Sequence, residues 1–131
     1  MNARPVLQLT ALLGVVFGVA LTLAPEALSG IFGWKIDLQT SLVERILGGA
    51  WLGYAVLNWI ASSGDARLQR ATTYADLCQA VIGFPVAAWS ATNGVGNQLM
   101  WFWVVLFGGF AIAYAYLLWG VRRREVAPSH A

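Results

Sequence analysis

Apolar residues run along this chain in long unbroken stretches instead of alternating with polar ones. Four stretches approach the roughly 20 residues that an α-helix needs to cross a bilayer's hydrocarbon core. They cover 6–24, 42–61, 71–92 and 99–121. The first and last carry no charge, the second holds Glu44 and Arg45 near its start, and the third holds Asp76. Backbone polar groups in lipid must pair within helices or closed barrels. A run such as 104–118 does not alternate as a barrel strand does. The expected fold is therefore all-α: a single-domain integral membrane four-helix bundle over 1–131, with 122–131 as a basic tail.

The connections read as short turns. Pro25 ends the first helix and suits the first turn of a short interfacial one. Ala27, Leu28, Ile31, Phe32 and Trp34 give that segment an apolar face, which Gly30 and Gly33 interrupt. Ser62-Ser63-Gly64-Asp65 and Asn93-Gly94-Val95-Gly96-Asn97 are turn clusters.

Composition agrees with this pattern. The 131 residues are 59% hydrophobic and 11% charged, with a mean hydropathy of +0.65. Soluble domains carry about 25% charged residues, so an ordinary soluble domain is excluded, and so is a disordered chain. The basic residues set an orientation. Arg4, Arg67, Arg70, Arg122, Arg123 and Arg124 fall on one side of the four spans, against Lys35 on the other. Both termini are thus expected in the cytoplasm, in a multi-pass inner-membrane protein. A cleaved signal peptide is the rival for the first span, with Ala27-Leu28-Ser29 as its cleavage site. An apolar run over 6–24 exceeds a usual signal core, so a retained span is expected.

Packing in lipid relies on close approach of small residues. Four rows stand out: Gly14 and Gly18, Gly49 and Gly53, Gly83 and Ala87, Gly109 and Ala113. They serve either contacts within the bundle or a homo-oligomer, for which the last helix is the best candidate. Of seven Trp and four Tyr, Trp34, Trp101 and Trp103 suit an outer interfacial belt. Trp59, Trp119, Tyr74 and Tyr116 suit an inner one. Trp51 and Trp89 fit neither belt and read as core or pocket wall.

Ionisable residues inside spans are rare and are functional candidates by default. Arg45 lies about one turn below the outer surface, whereas Asp76 lies roughly 8 to 9 Å past Arg70 from the inner side. They should not pair. Two clusters are expected instead. The outer one comprises Glu44, Arg45, Asn93, Asn97 and Gln98, near Trp34 and Trp101. The inner one comprises Asp76, Asn58, Tyr74, Gln79, Gln8 and Thr10, with Tyr114 or Tyr116. Ligand- or proton-binding candidates are Asp76, Asn58, Gln79, Tyr74, Arg45 and Glu44. Asp76 has a bland alternative, which is to stay wet near headgroups or to accept from Asn58 and Tyr74. Arg45 has one too: a pair with an outer carboxylate.

Missing motifs narrow the chemistry. Cys78 is the one cysteine, so no disulfide is possible within the chain. No His lies in a span, and His130 in the tail has no partner in sequence. No metal site, cofactor, catalytic residue, phosphate loop or serine elbow is expected. Nucleic-acid binding has no support at a net charge of +2. Membrane lipids are the expected partners, with a homo-oligomer or larger membrane complex as the further expectation.

The segments Ala24-Pro25-Glu26-Ala27-Leu28, Phe32-Gly33-Trp34, Glu44-Arg45-Ile46-Leu47-Gly48-Gly49-Ala50-Trp51-Leu52-Gly53 and Asn58-Trp59-Ile60-Ala61 together resemble the small four-helix bacterial membrane proteins of the DoxX-like superfamily. In such proteins an Arg followed by Leu-Gly opens the second helix, as Arg45-Ile46-Leu47-Gly48 does here. The resemblance implies the four-helix fold. Members mostly lack an assigned activity, and a few are linked to quinone-coupled thiosulfate oxidation or membrane redox complexes. This chain's single thiol and lack of metal ligands give that chemistry nothing to use.

Three functions follow as expectations. The first is a non-catalytic accessory subunit or small-ligand- or lipid-binding bundle. The second is an oligomeric transporter or channel with a polar path near Asp76. The third is a membrane enzyme acting on a lipid or quinone, with Arg45 fixing an anionic or carbonyl group.

Overall fold

A computed structural model describes residues 3–126, with side chains through 120. The basic run 122–124 and His130 lie outside the described side chains. The described chain is all-helical: α1 (Arg4–Leu23), α2 (Pro25–Ile31), α3 (Leu38–Ser63), α4 (Ala66–Thr92) and α5 (Met100–Val126), with no strand among the described residues. Two helices, Arg4–Leu23 and Met100–Gly120, are long and apolar enough to cross a membrane.

Local chemistry explains the boundaries. Pro5 sits in the first turn of α1 and Pro25 in that of α2, where the missing N–H costs nothing. Pro25 also pushes Ala24 out of helical conformation, to φ −142°, ending α1. Asp37 caps α3 by accepting the Thr40 N–H at 2.8 Å, and Asp65 caps α4 by accepting the Leu68 N–H at 2.7 Å. The short helix expected after Pro25 therefore forms. Helices α3 and α4 begin four and five residues before the apolar runs they contain, because the caps and not the hydropathy start them.

The long helices form two close antiparallel pairs, α1 with α3 and α4 with α5. In the first pair Gly14 lies against Ala55, and Gly18 against Leu52 and the Gly48 carbonyl. A Cβ on Gly48 would stand 2.5 Å from Thr22 Oγ1 and 2.8 Å from the Gly18 carbonyl oxygen. The α3 row predicted from sequence was Gly49 with Gly53. Both instead face open space, and the neighbouring Gly48 makes the contact. In the second pair Gly83 packs on Phe107 and Gly108 on Phe84, while Gly109 is open.

Polarity is distributed inside out. Ser29, Ser41, Asn58, Ser62, Thr72, Thr73 and Asp76 are buried. Leu12, Val16, Ile46, Val56, Ile82, Val86, Val105 and Ile112 are exposed. Soluble proteins rarely expose apolar surface on that scale.

The end of the fold at α2 is tied by the loop after α4. The Asn97 N–H donates to the Phe32 carbonyl at 2.8 Å, and its side-chain amide donates to the Ile31 carbonyl at 2.8 Å. Gly96 at φ +85° permits this approach, since a Cβ there would meet the Phe32 carbonyl at 2.5 Å.

Candidate functional site

Between the two pairs lies a cleft of about 50 Å³, lined by all four long helices. Its polar lining comprises Thr10 from α1, Tyr54 from α3, Asp76 and Gln79 from α4, and Tyr114 from α5. Trp51, Ala80, Leu106, Phe107 and Phe110 supply most of the apolar wall. Among the lining residues only Tyr54 is exposed.

Two polar contacts flank this cleft and link the pairs. On one side Asn58 of α3 donates its amide to Asp76 Oδ1 at 3.2 Å. The same amide nitrogen donates to the Tyr54 carbonyl at 3.1 Å, and the two acceptors together fix the amide's orientation. Asp76 is only 3% exposed, and its Oδ2 has no hydrogen-bond partner; neither has Asn58 Oδ1. On the other side the hydroxyls of Thr10 and Tyr114 share a short hydrogen bond. Thr10 Oγ1 also donates to the Val6 carbonyl at 2.9 Å. That commits the Thr10 proton, so Tyr114 is the donor to Thr10.

The expected inner cluster is therefore brought together only in part. Asp76, Asn58, Gln79 and Thr10 converge, and of the two tyrosines on α5 it is Tyr114, not Tyr116, that joins them. Tyr74 does not. It is 49% exposed on the outer face of α4, because two residues rotate a helix by about 200°. Arg45 and Asp76 are apart, as the depth argument requires.

The expected outer cluster separates into local devices. Arg45 donates to the Thr22 carbonyl at 2.7 Å, at the α1 C-terminus, and lies 3.4 Å from Glu26. It meets an orphan helix-end carbonyl with a cation. Glu44 accepts from Ser29 through both oxygens, at 2.9 and 2.8 Å, while Ser41 returns a bond from α3 to Glu26 at 2.5 Å. Asn93 caps α4 on the Trp89 carbonyl, and Asn97 holds the loop to α2. The Ser41 hydrogen bond, with help from Arg45, holds the Glu26 carboxyl below its ordinary range. The Thr40 N–H does the same for Asp37.

The tryptophans also part from expectation. Trp103, expected in the outer belt, is buried in an aromatic cluster, with Phe17 at 4.7 Å and Trp51 at 5.9 Å between ring centroids. Trp89, expected as core or pocket wall, is 62% exposed. Trp51 joins the cluster and the cleft wall. Phe17, Trp51, Trp103 and Phe107 form this cluster, and Trp51 and Phe107 also line the cleft. Among the described residues no group of three or more His, Cys, Asp or Glu is placed to hold a metal ion.

Comparisons with models of known protein families, with curated proteins and with solved structures found no match.

Proposed function

We propose that this chain is a multi-pass protein of the inner membrane, and that it binds a small membrane-dissolved molecule non-catalytically in the cleft between its helix pairs. Helices α1, α3, α4 and α5 are the four spans in this reading, and both termini are cytoplasmic. The inside-out surface supports it: α3 and α4 expose Ile46, Val56, Ile82 and Val86 while burying Asn58 and Asp76. The likeness of its first sixty residues to DoxX-like proteins is consistent with such a bundle.

One observation carries the binding role. An almost fully buried carboxylate lines a mostly apolar cleft that has room for only a few water-sized groups. Ionisable groups at membrane depth are expensive and mark functional sites. Arg45 is engaged at the α1 C-terminus, away from the cleft, which leaves the enzyme reading without its anchoring cation.

The test is gentle extraction from the native membrane, followed by mass spectrometry of co-purified molecules. Wild type should retain one enriched small molecule or lipid, and Ala80→Met, which fills the cleft, should lose it. A bare monomer would count against the reading. Solute or proton flux in liposomes that Asp76→Asn abolishes would favour the transporter instead.

A further inference from the structure

The side-chain hydrogens of Asn58, Thr10 and Tyr114 are all committed. The Asn58 amide spends both on the Tyr54 carbonyl and Asp76 Oδ1. Thr10 spends its one on Val6, and Tyr114 spends its one on Thr10. Asp76 Oδ2 and Asn58 Oδ1 remain as buried acceptors without donors, and the Tyr114 oxygen keeps acceptor capacity. Gln79, Tyr54 and Trp51 also line the cleft, and none of them donates to Asp76. The one side-chain hydrogen bond that Asp76 accepts among the described residues comes from the neutral Asn58 amide. Native proteins leave few buried polar atoms unsatisfied, and each exception asks for an explanation.

We infer that the cleft receives the protonated amino group of an amphiphilic amine, which donates to Asp76 while its apolar tail leaves past Tyr54. The inference rests on reading the cleft as a binding site. An ammonium brings several donors and no acceptor, the complement of these unpaired acceptors. It also brings the countercharge that a carboxylate needs in a medium of low dielectric. A neutral hydroxyl brings one donor and no charge. The aromatic faces of Trp51, Phe107 and Phe110 suit a cation and its first methylenes. A volume of about 50 Å³ takes a head group and not a whole amphiphile. The tail must therefore lie outside, against the exposed apolar surface beside Tyr54.

The test uses the full chain in nanodiscs of zwitterionic phosphatidylcholine and four probes sharing a ten-carbon tail: decylamine, decanol, decanoate and decane. Saturable binding is read as a thermal shift and by native mass spectrometry, against empty nanodiscs. Decylamine should bind wild type about tenfold or more tighter than decanol, because its bond to the carboxylate is charge-assisted. Decane and decanoate should bind least. Asp76→Asn should remove the preference for decylamine while leaving decanol unchanged. If Asp76→Asn does not fold, the wild-type ranking decides, with Ala80→Met expected to abolish decylamine binding. Decanol or decane binding as well as decylamine would overturn the amine inference and leave the cleft reading intact. If no probe saturates, the cleft reading itself fails and takes the amine with it.

Discussion

Asn58 donates to Asp76 across 3.2 Å, and this contact joins α3 of one helix pair to α4 of the other. Its counterpart on the opposite side of the cleft is the bond between Thr10 and Tyr114. The two are not equivalent, because removing Asn58 strands a buried carboxylate, whereas removing the Tyr114 hydroxyl leaves Thr10 still bonded to Val6. Asn58→Leu should therefore destabilise the protein by about 1–3 kcal/mol, the cost of an unsatisfied buried group. Tyr114→Phe should cost about 0.6 kcal/mol, the usual worth of a hydrogen bond between membrane helices. Equilibrium unfolding in detergent measures both, and equal losses would contradict the asymmetry.

Adjacent glycines on α3 should respond oppositely to the same substitution. Gly48→Ala pushes a methyl into the Thr22 and Gly18 backbone and should cost about 1–3 kcal/mol through overpacking. Gly49→Ala meets nothing within 4 Å and should be neutral, or stabilising by up to about 1 kcal/mol through helix propensity. Thermal unfolding of the two variants side by side checks this. If Gly49→Ala proved the more damaging, the face that packs on α1 would be the wrong one.

Acid should loosen the junction of α2 and α3 before the core. Glu26 and Asp37 both titrate below their ordinary values of 4.5 and 3.8, chiefly because Ser41 donates to the first and the Thr40 N–H to the second. A lowered folded-state pKa means that the fold favours the charged form. The resulting stability is fully present above the ordinary values and is lost as pH falls through the lowered ones. Hydrogen exchange of the amides near Ser41 should be unchanged from neutral pH down to the ordinary carboxylate range, then accelerate. Glu26→Gln should remove the Glu26 share of that acid response.

Cys78 offers a direct test of membrane depth. It is exposed on α4, twelve residues or about 18 Å from the helix start at Ala66. In intact membranes it should resist a charged methanethiosulfonate reagent and become reactive after denaturation in detergent. Ready labelling by the charged reagent before solubilisation would place that face of α4 in water.

The sequence by itself located the long apolar runs and the stop at Pro25, while α3 and α4 start four and five residues before their runs, at the Asp37 and Asp65 caps. Pro25, Asp37 and Asp65 act within a turn of their own position, and long apolar runs need no partner to be legible. It also singled out Asp76 and Asn58 as polar residues within apolar runs. Only the tertiary structure decided which way each helix faces. In a soluble helix the apolar stripe sets the rotation. Here the exposed faces are as apolar as the core, so no stripe distinguishes Gly48 from Gly49, Tyr114 from Tyr116, or inward Trp103 from outward Trp89. Rotation is set by where backbones can approach and where buried polar groups find partners. These are contacts between residues as distant in sequence as Thr10 and Tyr114, and they exist only once the helices have packed.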